Sequence, residues 1–316
     1  MQRYVSLPKP IDAHTRTFDH PVAGRVTTYE AFGGPGTPLV LVHNLGVGAS
    51  SAQLRPVFDA FRHERPVIAV DLPGFGGSQR VVSRIDRAVY HDVLSDLFTK
   101  LVRQYGEPVD VVALSNGAEL AAAATLRNEE LVRSLVLIAP TGFSFKTSGP
   151  VDRVAANLRT ARIKKLCLQP VVGKALYATL TSRPALKREL ARSFVGAVDE
   201  ELLEVSYAMA HQPEAWRAPM AQLSGALSDP EVRDRVYARL TVPVLVIFDG
   251  GGSTNYEALG GFLRAEPSWS AERVRPSRDM PHFECPDETF QLMRRFFSGL
   301  DSIFMADVPS GLFLRS

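Results

Sequence analysis

Short apolar runs bounded by turn-forming residues recur along the chain: PLVLVHN at 38–44, PVIAVD at 66–71, VDVVALS at 109–115, SLVLIAP at 134–140 and VPVLVIF at 242–248. An unbroken apolar run of this length predicts a strand buried on both faces. Between them the period changes to that of a helix. Leu54, Val57, Phe58 and Phe61 share one stripe within Ser50–Phe61, and Val93, Leu94, Leu97 and Leu101 share another within Ile85–Tyr105. Ala118–Leu126 predicts an Ala-rich helix, narrow enough to pack close to a sheet. RVTTYEAF, within Ile11–Phe32, predicts an edge strand. Near the other end, helices are expected at about Tyr256–Arg264 and Pro286–Leu300, with a weaker strand at about Ala271–Pro276.

Strands alternating with helices imply a mostly parallel sheet covered on both faces. The rhythm breaks from Phe143 to Leu240, where only helical patterns occur, such as PALKRELARSFV and EELLEVSYAMA. The expected organisation is an α/β core from 1–142 and 241–316, with 143–240 inserted as a helical cap. The tail from Asp301 is apolar and is expected to dock on the body.

Composition narrows the function classes. The 316 residues are 45% hydrophobic, enough for a large core without disulfides or metals. Lys and Arg total 36 against 34 Asp and Glu, which gives no electrostatic reason to expect nucleic acid. Cys167 and Cys285 have no metal-type spacing. No apolar run is long enough to span a bilayer, and MQRYVSLPKP lacks the order of a signal peptide. The expectation is a cytoplasmic protein, monomer or homodimer, with no cofactor, no metal and a small-molecule partner.

The chemistry centres on ALSNG. A catalytic serine must stand clear of its neighbours and close to backbone donors. A tight strand-to-helix turn does this, and it needs small residues two before and two after the serine. Ala113 and Gly117 flank Ser115 in this way, directly after VDVV and directly before the Ala-rich helix. With VHNLG at 42–46, DLPGFGGS at 71–78 and PHFECPDETF at 281–290, the chain resembles the α/β-hydrolase superfamily. The resemblance is to its cap-bearing group of C–C hydrolases, epoxide hydrolases and small esterases, and it runs from about Thr27 to Leu300. It implies the α/β-hydrolase fold, Ser115 as nucleophile and an oxyanion hole from the N–H groups of Leu45 and Asn116. His43 and Gly46 are then supports of the oxyanion loop, and Asn44 stands where the family has glycine.

The chain departs from the family in the partners of the serine. The family's acid, in a G-x-x-D pattern after the strand VPVLVIF, aligns with Gly252, while Asp249 lies three residues earlier. Anchoring the family's G-H-x-x-x-x-E-x-P on Glu284 and Pro286 puts Asp279 at the histidine position, and His282 three residues later. Three readings follow. Because residues three apart share a helical face, His282 and Asp249 complete a shifted triad with Ser115, giving a hydrolase for an ester, a thioester or a C–C bond next to a carbonyl in a small hydrophobic substrate. Alternatively, Asp279 is a carboxylate base in a lyase, isomerase or cyclase, since a carboxylate that loses water under an apolar cap becomes a better base. The third is a catalytically silent member that binds a ligand or partner. In the cap, Arg153, Arg159, Arg162, Lys164 and Lys165 read as a solvated helix face, and Trp216, Tyr207 and Met209 as pocket lining or core.

Overall fold

The computed structural model describes residues 7–144, 168–250 and 255–306, with side chains to 302. Eight strands form one sheet: β1 (His14–His20), β2 (Gly24–Phe32), β3 (Leu39–Val42), β4 (Pro66–Asp71), β5 (Val109–Leu114), β6 (Val132–Ile138), β7 (Val244–Phe248) and β8 (Trp269–Arg273). Their order is β1-β2-β4-β3-β5-β6-β7-β8, antiparallel at the first two junctions and parallel thereafter. One expectation is corrected here. RVTTYEAF forms β2, which is paired on both sides rather than lying at the edge. The edge is β1, HTRTFDH, whose exposed polar residues carry no apolar run to announce a strand.

Alternation along each strand sorts the core into two layers. Val40, Val42, Val111, Ala113, Leu135 and Leu137 pack toward α2 (Arg87–Tyr105) and α3 (Gly117–Arg127). Leu39, Leu41, Val112, Leu114, Val136 and Ile138 pack on the opposite face, the layer of α1 (Arg55–Phe61) and, after the insertion, of the last helix at Pro286–Ala306. Asp86 caps α2 by accepting from the Val89 N–H at 3.2 Å, and Gly106 ends it at φ 78°. Ser50–Phe61 is not one helix, because a 3-10 turn at Ser51–Leu54 precedes α1.

Between β6 and β7 the described residues hold helices and no strand: α4 (Pro170–Leu180), α5 (Arg183–Ala191), α6 (Glu200–Ala210), α7 (Arg217–Leu223) and α8 (Val232–Arg235). An aromatic seam closes the base of this insertion. Phe143 at its start stacks on Tyr237 at its end, with ring centroids 5.5 Å apart, and both rings meet Trp269 of β8. The remaining helices are α9 (Leu259–Ala265), α10 (Pro281–Glu284) and α11 (Pro286–Ala306). Among the described residues no helix is long and apolar enough to cross a membrane. Arg153, Arg159, Arg162, Lys164, Lys165, Cys167, Gly252 and the tail from 307 lie outside the described residues.

Candidate active site

Ser115 follows the last residue of β5 and precedes α3, at the C-terminal edge of the parallel strands. Its φ is 53°, in the left-handed region. A non-glycine residue there costs on the order of 1–3 kcal/mol and persists only where its surroundings dictate it. The Ser115 N–H extends the sheet ladder to the Ile138 carbonyl at 2.8 Å, and the Ala118 N–H returns to the Ser115 carbonyl at 3.1 Å. Gly117 is required by close approach, since a Cβ there would stand 2.2 Å from the His43 carbonyl oxygen. Among the described residues, the Ser115 hydroxyl makes no hydrogen bond.

The loop after β3 is braced from both sides. The Leu72 N–H donates to His43 Nε2 at 2.9 Å, so the ring proton sits on Nδ1 and is donated to the Asn44 carbonyl. Burial pushes the His43 pKa down, which keeps the ring neutral. Both ring nitrogens of His43 are thus engaged by the backbone around the loop. Asn44 and Gln53 form a reciprocal pair, Asn44 N–H to Gln53 Oε1 and Gln53 Nε2 to Asn44 Oδ1, both at 3.1 Å. Asn44 Oδ1 also accepts from the Gly46 N–H at 2.8 Å. Asp71 holds the next loop by accepting from the N–H groups of Ser51 and Gly77 and from the Tyr29 hydroxyl, at 2.8, 2.7 and 3.0 Å.

The three residues of the expected triad are not brought together. His282, on α10, is fully buried. Its Nε2–H donates to the Gln53 carbonyl at 2.7 Å, and burial pushes its pKa down to about 4 against that hydrogen bond. The three-residue shift that would aim it at Ser115 places it instead against the 3-10 turn that carries Gln53. Asp249 also departs from the expected role. Its Oδ1 accepts from the Gly250 N–H at 2.6 Å, from Arg273 Nε at 2.9 Å and from Arg275 Nε at 3.3 Å. A strand-end carboxylate holding two guanidinium groups is not orienting an imidazole.

Asp279 and Ser115 line the same cavity of about 650 Å³, which lies between the strand edge and the helical insertion. Leu45, Gly46 and Asn116 contribute to its floor, and α5, α7 and Ser193 to its walls. The Ser193 hydroxyl donates to Asp279 Oδ2 at 3.3 Å. The segment is pinned by Glu284. Its Oε1 accepts from the N–H groups of Val195 and Gly196 at 2.6 and 2.9 Å, and its Oε2 from the Arg278 N–H at 3.1 Å.

The oxyanion geometry differs from expectation. The Leu45 N–H donates to Asn116 Oδ1 at 2.8 Å, so a side chain already occupies one of the two expected donors. Sequence reasoning missed this role for Asn116, and likewise Gln53, Ser193 and Glu284. Asn44 in place of glycine was the available signal that this loop is braced by side chains. Trp216 and Met209 are buried in the packing of the insertion, Tyr207 lies 4.1 Å from His211 ring to ring, and none of the three lines the cavity.

A family model described as "Alpha/beta hydrolase family" matches residues 39–292. The chain is 33% identical to a 2-hydroxymuconate semialdehyde hydrolase of Pseudomonas sp. (strain CF600) over 135 residues, 42% of this chain and 47% of the relative. It is 34% identical to a 2-hydroxy-6-oxo-2,4-heptadienoate hydrolase of Pseudomonas putida over 137 residues, 42% and 48% of the two chains. The chain therefore spans about half the length of these curated relatives. Among solved structures, a serine hydrolase involved in carbazole degradation superposes with a TM-score of 0.69 at 20% identity, covering 90% of this chain and 98% of the other.

Proposed function

The chain belongs to the alpha/beta hydrolase family, and from that premise we propose that it hydrolyses a bond next to a carbonyl in a small substrate, with Asp279 rather than His282 as the base. Residues 143–240 form the cap in this reading, over a core of 1–142 and 241–316. The substrate carbonyl sits over Ser115 at the start of α3, where the helix N-terminus favours developing negative charge. Asp279 takes a proton from a water molecule as its oxygen bonds to the carbonyl carbon. The C–O, C–S or C–C bond then breaks, and the leaving group takes the proton back from Asp279. Ser115 donates a hydrogen bond from its O–H to the substrate carbonyl oxygen and forms no acyl intermediate.

The observation that carries this reading is that Asp279 shares the cavity with Ser115 while His282 is committed to the Gln53 carbonyl. Carboxylates are weaker bases than imidazole by two to three pKa units in model peptides, about 3.5 kcal/mol less driving force for deprotonating a serine. Activating water under strong polarisation of the carbonyl is the task that suits one. The relatives named as hydrolases of 2-hydroxy-6-oxo and semialdehyde compounds support a carbonyl-bearing substrate.

The test is a ranking of variants on a panel of p-nitrophenyl esters, acyl thioesters and β-diketones. Asp279→Asn is expected to lose on the order of 10²–10⁴ in kcat, Ser115→Ala less, and His282→Gln under about tenfold where the variant stays folded. Mass spectrometry during turnover should find no adduct on Ser115. A His282→Gln variant that is folded but inactive, with Asp279→Asn active, would reinstate the shifted triad. A second reading, proton transfer at the carbonyl without water, is favoured by how little of Asp279 is exposed, 6%. Turnover without uptake of solvent ¹⁸O would select it.

A further inference from the structure

We infer that the side-chain amide of Asn116 is the oxyanion donor of this site, in place of the Leu45 N–H. The inference rests on the proposal that a carbonyl is held over Ser115. Asn116 is at the N-cap position of α3, where an asparagine side chain ordinarily accepts from its own helix. It makes no such bond here. Its Oδ1 instead reaches across 71 positions of sequence to the Leu45 N–H, at 2.8 Å.

That single contact fixes the amide's orientation by chemistry alone. A backbone N–H only donates, so the atom facing it is the oxygen, and Nδ2 with its two hydrogens faces away. Among the described residues, no acceptor engages Nδ2, and Asn116 lines the cavity beside Ser115. The amide is held rigidly, because the Leu45 N–H is fixed by the His43 ring and the Asn44–Gln53 pair around it. An amide whose oxygen accepts a hydrogen bond is polarised, which strengthens its N–H groups as donors. The backbone N–H of Asn116, at the helix start, adds a second donor from the same residue. Preorganised donors of this kind stabilise a developing oxyanion without reorganising at the moment of reaction.

The alternative geometry makes the opposite prediction. Were Leu45 the donor, the Asn116 side chain would be a competitor for its N–H, and removing it would strengthen oxyanion binding. Two substitutions separate the cases. Asn116→Asp keeps an oxygen for Leu45 and deletes the N–H groups; Asn116→Ala frees the Leu45 N–H altogether.

The experiment is difference infrared spectroscopy of acetophenone, unlabelled and carbonyl-¹³C-labelled, bound to the full-length protein and its variants. The wild-type protein is expected to shift the carbonyl stretch to lower frequency. Both Asn116 substitutions should cut that shift to the small remainder that the surviving backbone N–H of residue 116 supplies, and each should lower kcat on an active ester by on the order of a hundred- to a thousand-fold. A wild-type spectrum without the shift overturns the inference, as does a shift retained or increased in Asn116→Ala. The measurement needs no turnover. A wild-type shift that is sharply reduced in both Asn116 variants, in a protein whose Asp279→Asn variant is fully active, would support the Asn116 amide as donor while removing Asp279 as the base.

Discussion

On the β3–β4 side of Ser115, the polar groups that shape the floor are each held by several partners. Asp71 has three donors, His43 is bonded through both ring nitrogens, and Asn44 is locked to Gln53. On the β7–β8 side, the aspartate and histidine of the expected triad have other partners: Asp249 pairs with Arg273 and Arg275, and His282 bonds to a main-chain carbonyl. The contrast teaches that the strained elbow does not depend on a His–Asp pair. Its φ of 53° is held by the ladder bond to Ile138 of β6 on one side and by the contact of Gly117 with His43 on the other, and neither involves Asp249 or His282.

The largest test of that contrast outside turnover is acid. His282 has a folded pKa of about 4 against about 6.5 in the unfolded chain. A depressed histidine pKa means that the unfolded state binds more protons between these values. Stability is therefore full above pH 6.5 and falls progressively toward pH 4, by roughly 3 kcal/mol from this residue. His91, also pushed down to about 4 mainly by burial, acts in the same direction. Urea unfolding at pH 7, 5.5 and 4.5 should show the decline, and His282→Gln should flatten it. An unchanged slope in that variant would mean that the ring is not held neutral in the core.

Asp71→Asn is the next largest. An amide replaces one acceptor oxygen with a donor that faces the N–H of Ser51 or Gly77, leaving a buried donor unpaired. The expected loss is about 2–3 kcal/mol, read from the urea midpoint. Asp249→Asn should cost under about 1 kcal/mol, because its guanidinium partners are half-exposed and screened. It should leave turnover unchanged; a hundredfold fall in kcat would give Asp249 back its place in a triad.

The parallel strands were legible because double burial writes itself as unbroken Val, Leu and Ile. Strand β1 was not, since an exposed edge needs no such run. Ser115 was legible from Ala113 and Gly117, the small residues that the turn demands. Asp279 was legible too, because Glu284 and Pro286 mark the register that carries it to the cavity. His282 and Asn116 were not. Where each side chain points is decided by a partner far along the chain, Gln53 for one and Leu45 for the other, and spacing within a motif carries no information about such a partner.

Glu284 gives the molecule a mechanical property beyond its chemistry. One carboxylate grips Val195 and Gly196 of the helical insertion with one oxygen, and Arg278, next to Asp279, with the other. It acts as a pin through a joint. Travel of the insertion away from the sheet must either drag the Asp279 segment with it or break the hydrogen bonds to Glu284, so the two positions are mechanically coupled.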